Sequence, residues 1–175
     1  MKKIKQIHTL AILILSSLFL FSCSKKDDPK PDDIPLEVGG TLSAVVNGET
    51  VNYTDVGIGF YGSNVGVKGY EQVEEHRRDR LTVVIPLEPT TGTFNHNESP
   101  FYISYEAIMG NSEGGAGFNR EASGKISITE YKSIGKVGDE TYYHVKGTFE
   151  RYGMNNFNSE TIDIRNGEFQ FTYKL

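Results

Sequence analysis

The chain has one cysteine, no tryptophan and four histidines among its 175 residues. A single cysteine excludes an intramolecular disulfide and a metal site built from several thiolates. After the N-terminal region only His76, His96 and His144 remain, and they lie far from the short spacings typical of metal ligands. A zinc site would need them to converge with Glu74 or Glu98 in the folded chain. The sequence therefore predicts no metal, no cofactor and no catalytic residue.

Positive charge is also scarce, since the chain has 18 Lys and Arg residues and 23 Asp and Glu residues. Three of these basic residues and none of the acidic ones fall within residues 1–22, so the remaining 153 residues carry 15 positive against 23 negative charges, a net charge of −8. A surface of this sign disfavours nucleic acid and anionic lipid head groups. We therefore expect no nucleic-acid partner.

One long hydrophobic run is present, at the N-terminus. Leu10–Phe21 is apolar apart from two serines and follows three lysines. The run is shorter than the ~20 residues that a membrane-spanning helix needs, but its length suits the core of a signal peptide. We assign residues 1–22 to that signal.

The signal ends on a small residue that precedes the only cysteine. Leu20-Phe21-Ser22-Cys23 resembles a bacterial lipobox. The resemblance implies cleavage between Ser22 and Cys23 and acylation of Cys23 with palmitate-type chains. Two or three chains would hold the protein firmly, because each buried CH₂ contributes ~0.8 kcal/mol. The alternatives are an ordinary secretory signal and an uncleaved anchor.

The segment after the cysteine, residues 23–40, is rich in charge and proline and shows no apolar periodicity. It predicts a disordered linker that extends up to about 50 Å from the membrane, at ~3.1 Å per residue. The charged run Lys25-Lys26-Asp27-Asp28 resembles the signal that sends some Bacteroidota lipoproteins to the cell surface. A simple solvated spacer is the alternative, so both a surface-facing and a periplasmic location stay open.

From residue 41 onward apolar and polar residues alternate with a period of two, and no segment has sustained helical spacing. About ten short strands predict one all-β domain over residues 41–175, either an antiparallel sandwich or a barrel-like wrapped sheet. Asn-Gly favours a tight hairpin because both central residues of a type I′ turn need a positive φ. The sequence therefore predicts hairpins at Asn47-Gly48 and at Asn166-Gly167, the second closing Glu160–Arg165 onto Glu168–Tyr173.

Four further segments, rich in glycine or in polar residues, lie between or within these strands. Gly57–Gly62 has the letters of a dinucleotide-binding motif but no helix pattern after it, so we read its glycines as bulges or close strand contacts. The polar run Glu71–Arg80 predicts a helical turn or a long hairpin loop, with an anion site at Arg77, Arg78 and Arg80 as the alternative. Gly110–Asn119 predicts a connecting loop, or a recognition loop at the rim of a sheet. Ser133–Glu140 predicts a turn region.

Several segments occur in an order and spacing similar to a domain of unknown function in Bacteroidota envelope lipoproteins. They are Ala44–Glu49, Ile85-Pro86 with Gly92–Phe94, Gly124–Thr129, Val145–Phe149 and Ile162–Phe169. The resemblance covers about residues 41–175 and implies an all-β fold and an address in the cell envelope. It carries no functional residue, because the family has no assigned activity.

Tyrosines that alternate with polar residues are the best candidates for binding. Tyr102 alternates with Ser104 and Glu106, and Tyr142 with His144 and Lys146. Aromatic faces beside hydrogen-bonding groups suit sugar or protein recognition, although tyrosine is also common in ordinary strands. We take Tyr102, Tyr142 and His144 as candidate binding residues.

The sequence thus predicts an outer-membrane lipoprotein that binds a glycan or a protein and is not an enzyme. One alternative is an envelope hydrolase, which two carboxylates converging in a buried cleft would favour. Another is a structural component of an envelope complex, which a flat, exposed apolar patch would favour.

Replacing Cys23 with Ala tests the anchor. Without the thiol no acyl chain can be attached, so Cys23→Ala is expected to lose the lipid and the protein to leave the membrane fraction. Fractionation of cells followed by mass spectrometry of the N-terminus measures both effects. A variant that stays membrane-bound would contradict the lipid-anchor prediction.

Overall fold

Alternating apolar and polar residues form ten β-strands in the part of the chain that the structure describes. The computed structural model describes residues 36–96, 98–109, 122–154 and 161–175. The strands are β1 (Gly39–Val46), β2 (Glu49–Tyr53), β3 (Asp55–Tyr61), β4 (Asn64–Glu74), β5 (Arg77–Pro86), β6 (Gly92–Asn95), β7 (Tyr102–Met109), β8 (Ser123–Val137), β9 (Glu140–Met154) and β10 (Thr161–Lys174). All regular secondary structure in these ranges is extended.

The strands make two antiparallel sheets. The first has six strands in the order β2-β1-β10-β9-β8-β6, and the second has four in the order β3-β4-β5-β7. Neither is closed into a barrel. The inner faces of both sheets contribute to one hydrophobic cluster, which includes Val83 and Ile103 from the smaller sheet and Phe149 and Phe171 from the larger. The all-β prediction is confirmed, and the arrangement is that of a sandwich.

The first predicted hairpin is confirmed residue by residue. Asn47 and Gly48 both have positive φ, at 51° and 89°, as a type I′ turn requires. Val46 lies opposite Glu49, Ala44 opposite Val51 and Leu42 opposite Tyr53. The Asn47 side chain also accepts a hydrogen bond from the backbone N–H of Asp163 at 2.9 Å, which ties this turn to β10.

The second predicted hairpin is wrong. Residues 161–174 form one continuous strand that pairs with β1 on one side and β9 on the other. Asn166-Gly167 is a β-bulge: β10 advances from Ile164 to Gly167 while β9 advances only from Arg151 to Phe149. Asn166 supplies the positive φ, 49°, that bulges of this kind often use.

The bulge shifts the alternation of inward and outward side chains along β10 by one residue. Ile162 and Ile164 have even numbers, whereas Phe169 and Phe171 have odd numbers, so a regular strand would place the two pairs on opposite faces. The extra residue shifts the phase by one, and all four side chains are buried. A hairpin would also have put these residues on one face, so the local pattern fits both structures.

Two segments predicted as loops or turns belong largely to strands. Glu71–Arg80 continues β4 to Glu74 and starts β5 at Arg77, with only two residues between them. Similarly, β8 runs to Val137 and β9 begins at Glu140. Cross-strand pairing gives these polar residues partners that are not visible in the linear sequence. The segment Gly110–Asn119 lies outside the described residues.

The glycine-rich run Gly57–Gly62 lies in β3 and the turn after it, and β4 follows directly. No helix therefore begins at this motif, in agreement with its interpretation as close strand contacts. Residues 36–175 form one compact unit, and β1 starts at Gly39, inside the predicted linker. The predicted signal peptide, Cys23 and residues 24–35 lie outside the described residues. In the described ranges no helix has the length and hydrophobicity needed to cross a bilayer.

Replacing Gly167 with Ala tests the bulge. The added Cβ would stand 2.5 Å from two ring carbons of Phe149, so Gly167→Ala is expected to lower the free energy of unfolding by about 1–3 kcal/mol. Gly39→Ala is the control, since an added Cβ there has no described atom within 4 Å. Urea unfolding measures both. Equal stability of the two variants would contradict the packing of Gly167 beneath Phe149.

Candidate functional site

The outer face of the four-stranded sheet carries side chains in three rows that cross its strands. We name them the aromatic row, the floor row and the ion-pair row. The aromatic row is Gly59, Gly66, Val84 and Tyr102; the floor row is Gly57, Lys68, Thr82 and Ser104; the ion-pair row is Asp55, Tyr70, Arg80 and Glu106. Neighbouring rows are two residues apart along each strand, about 7 Å.

A groove runs across the strands above the floor row. Its cavity has a volume of about 860 Å³, within the range of ~300–1,000 Å³ typical of small-ligand sites. The floor is low because Thr82 and Ser104 are short and Gly57 has no side chain. Tyr61 and Tyr102 form one wall, and Arg80 and Glu106 form the other. The lining comprises Tyr61, Asn64, Lys68, Arg80, Thr82, Val84, Ser99, Pro100, Phe101, Tyr102, Ser104 and Glu106.

Two tyrosines stand at opposite ends of the aromatic wall. Tyr102 is on β7, one edge of the sheet, and is 38% exposed. Tyr61 is on β3, the other edge, and its ring lies back over Gly59 and Gly66. A β-carbon added to Gly66 would stand 3.1 Å from Cε2 of Tyr61, and one added to Gly59 would stand 3.2 Å from its Cζ. The two glycines therefore let the Tyr61 ring lie against the sheet.

The opposite wall is an ion pair. Arg80 on β5 donates to the carboxylate of Glu106, its cross-strand partner on β7, and both are largely buried. Tyr70 on β4 is the cross-strand partner of Arg80 on its other side. The Tyr70 ring lies under the guanidinium of Arg78, 5.5 Å from the ring centre. These contacts fix the Arg80 side chain along the wall.

A connection between the two sheets closes one end of the groove. Ser99, Pro100 and Phe101 lie between β6 of the larger sheet and β7 of the smaller. The Phe101 ring stacks on Phe94 of β6, with ring centres 3.9 Å apart. The backbone N–H of Phe101 donates to the carbonyl of Glu98 at 2.8 Å. This end of the groove is therefore held by packing and backbone contacts.

Buried His96 and Arg151 anchor the same connection. The backbone N–H of Ile103 donates to Nδ1 of His96 at 3.1 Å, and Arg151 donates to the Ile103 carbonyl. The His96 ring lies 5.6 Å from the ring of Tyr102. Burial lowers the pKa of Arg151 to about 9, so it stays charged at neutral pH. Both residues thus position the start of β7, and Tyr102 with it.

Two buried polar atoms of groove residues have no hydrogen-bond partner among the described residues. They are the acceptor Oδ1 of Asn64 and the donor Nε of Arg80. A buried donor or acceptor without a partner costs about 1–3 kcal/mol. Both atoms are buried beneath the groove surface, so a ligand reaches them only if the side chains around them move.

The structure brings together only some of the predicted binding residues. Tyr102, Ser104 and Glu106 all line the groove. Tyr142 and His144 lie on the outer face of the six-stranded sheet, where Nδ1 of His144 is 3.2 Å from the Thr172 hydroxyl oxygen. They therefore share no groove with Tyr102, and their part in binding stays a prediction.

The sequence did not join the other groove residues to Tyr102, because they come from other strands. Tyr61, Lys68 and Arg80 follow the same outward period as the residues around Tyr102. The period indicates a face but not which strands are neighbours. It therefore could have identified each residue as outward-facing, without joining them into one site.

The three arginines of the polar run do not share an anion site. Arg77 faces inward and binds the buried Asp79, with Nε and Oδ1 3.0 Å apart. Arg78 and Arg80 are on the outer face, with Tyr70 and Glu106 respectively. The alternation of β5 separates them.

One pair of carboxylates does face each other. Glu71 and Asp79 are cross-strand partners on β4 and β5. Burial raises the pKa of Glu71, with Asp79 and Glu49 adding to the effect. Asp79 accepts hydrogen bonds from Arg77 and, at 2.5 Å, from the Tyr105 hydroxyl. Neither carboxylate lines the groove, and these contacts indicate a structural role.

Within the described ranges, no three His, Cys, Asp or Glu side chains are grouped so that they could hold a metal ion. Comparison of the chain with protein-family models, with curated proteins and with solved structures gave no match. The resemblance to the Bacteroidota lipoprotein domain therefore stays a prediction, and the groove is the feature of the described residues that bears on function.

His96 should make the stability depend on pH. Nδ1 accepts the Ile103 N–H, so protonation there would break that bond and add charge beside Arg151. Burial, followed by the Arg151 charge, lowers the pKa of His96 from 6.5 to about 4. The unfolded chain therefore takes up the proton first, and stability that is complete above pH 6.5 falls as the pH drops toward 4.

The variant His96→Asn isolates this effect, because the Asn carbonyl oxygen is placed to accept the Ile103 N–H and does not titrate. Between pH 7 and pH 4.5 the parent protein is expected to lose more stability than the variant, by on the order of 2 kcal/mol. Urea unfolding at the two pH values measures the difference. Parallel losses would show that His96 is not neutral and anchored in the folded state.

Proposed function

We propose that this protein is a lipoprotein of the bacterial outer membrane that binds a saccharide in the groove of its four-stranded sheet. The membrane address is supported by the lipobox-like sequence that ends in Cys23. The binding role is supported above all by one observation: a cavity of about 860 Å³ brings together the rings of Tyr61 and Tyr102, the hydroxyls of Thr82 and Ser104, and the ion pair of Arg80 with Glu106.

A saccharide fits this combination of groups. Each sugar hydroxyl both donates and accepts hydrogen bonds, so it can bond with the donors and the acceptors of the groove lining alike. The hydroxyls of Thr82 and Ser104 add donors and acceptors along the floor. The apolar faces of sugar rings pack on aromatic side chains, which Tyr61 and Tyr102 supply.

The size of the groove favours a small ligand over a protein surface. A standard protein–protein interface covers about 800 Å² on each partner. A cavity of about 860 Å³ is instead the size of an ordinary small-molecule site. A saccharide is therefore the better of the two binding partners predicted from the sequence.

The hydrolase alternative has less support. Hydrolysis of a glycosidic bond by the common mechanism needs two carboxylates, one on each side of the bond. Among the described residues that line the groove, Glu106 is the single carboxylate, and Arg80 neutralises it. Binding requires no second carboxylate.

Substituting the groove tyrosines tests the proposal. Tyr61→Ala and Tyr102→Ala are each expected to weaken saccharide binding about tenfold, the equivalent of ~1.4 kcal/mol, because the ring face is lost. Tyr152→Ala is the matched control, since Tyr152 is exposed but lies on the other sheet. A panel of neutral and acidic oligosaccharides supplies the ligands.

Binding can be followed by tyrosine fluorescence, because the chain has ten tyrosines and no tryptophan, and confirmed by calorimetry. Equal loss in all three tyrosine variants would contradict the assignment to the groove. Absence of binding to every saccharide on the panel would contradict the proposed function.

A further inference from the structure

We infer that the saccharide bound in the groove is acidic, and that Lys68 receives the carboxylate of a uronic acid. The inference rests on the proposed function and adds the class of sugar. It follows from the position of Lys68 and from the charge balance of the groove.

Lys68 lies in the floor row of the groove, on β4 and next to the edge strand β3. Its cross-strand partners are Gly57 on β3 and Thr82 on β5. The side chain extends over Gly57, where a β-carbon would stand 3.4 Å from Cε of Lys68. Because Gly57 has no side chain and Thr82 is short, no tall neighbour within the row screens the ammonium group from the groove.

The other charges that line the groove cancel. Arg80 and Glu106 form an ion pair with each other. Lys68 has no carboxylate within 4.0 Å among the described residues. The described cavity lining, of which Asp55 is not a part, therefore carries one uncompensated positive charge, in a chain whose net charge is −5. A positive site on an acidic protein attracts an anionic group selectively.

The kind of anion follows from the kind of cation. A phosphate dianion is best held by the bidentate fork of arginine or by several cations. Here the one arginine in the described lining, Arg80, is already bound to Glu106, and Lys68 offers a single point charge. One lysine matches one carboxylate, as in a uronic acid.

The geometry also predicts where the sugar rings lie. The floor row crosses four strands, a distance of about 14 Å at ~4.8 Å per strand, which is longer than one sugar ring. A carboxylate at Lys68 leaves the rest of the ligand directed along Thr82 and Ser104 toward β7. The ring faces then contact the aromatic wall, and hydroxyls reach the ion-pair wall.

A comparison of acids with their methyl esters tests the inference. The probes are tri-galacturonic acid and tri-glucuronic acid, each beside its methyl ester, which keeps the sugar and removes the charge. The purified full-length protein is expected to bind the acid of at least one pair about tenfold more tightly than the ester. The preference should shrink as salt is raised from 50 to 500 mM, since the interaction is between charges.

Variants of the lysine assign the effect to its side chain. Lys68→Met is expected to bind acid and ester equally, whereas Lys68→Arg keeps the preference. Lys136→Met is the control, because Lys136 is an exposed lysine on the other sheet. Thermal unfolding of each variant checks that the fold is intact.

The outcomes separate this inference from the proposed function. Equal binding of acid and ester by the parent protein would overturn the acidic-sugar inference. A preference that survives in Lys68→Met would overturn the assignment of the carboxylate to Lys68, and both results leave saccharide binding in place. Tighter binding of a sulfated trisaccharide than of the uronates would overturn the carboxylate assignment. If neither the uronates, nor their esters, nor any neutral sugar binds, the proposed function itself fails.

Discussion

The phase shift in β10 is the constraint on which the rest of the structure depends. Ile162 and Ile164 are out of phase with Phe169 and Phe171, and one extra residue at Asn166-Gly167 brings both pairs to the inner face. Because β10 lies between β1 and β9, it connects the two halves of the six-stranded sheet. Without the bulge, one pair of large apolar side chains would face solvent, at about 1.5–3 kcal/mol for each side chain. This bulge therefore lets β10 turn both pairs toward the smaller sheet.

That cover allows the smaller sheet to carry a binding groove on its other face. The alternation of β5 and β7 places Val83 and Ile103 in the shared core. Their neighbours along each strand, such as Thr82 and Ser104, therefore lie on the outer face. Arg151 reaches from β9 of the larger sheet to the carbonyl of Ile103 and so fixes the strand that bears Tyr102. The groove is thus shaped by contacts that come through the core. Its floor is low where Thr82 and Ser104 are short, and its walls are high where Tyr61, Tyr102, Arg80 and Glu106 are long.

Much of this architecture could be predicted from the sequence, but only where local pattern and tertiary structure coincide. Asn47-Gly48 made the expected hairpin because the flanking strands pair with each other. Asn166-Gly167 did not, since a hairpin and a bulged strand bury the same side chains and only pairing with β1 and β9 distinguishes them. The same limit applies to the site. The alternation of apolar and polar residues identified Tyr102 as outward-facing. It could not show that Lys68 lies on the same face or that His144 lies on the other sheet.

Disulfide trapping measures the path of β10 most directly. In a Cys23→Ala background, Lys146→Cys with Gln170→Cys joins cross-strand partners of β9 and β10, whereas Asp163→Cys with Gln170→Cys joins positions that only a hairpin would bring together. In a continuous strand the second pair is about 23 Å apart, beyond the ~7 Å limit for a disulfide. The continuous strand predicts a disulfide, detected by mass spectrometry after mild oxidation, in the first variant and free thiols in the second. The reverse result would contradict it, and with it the six-stranded sheet that supports the groove.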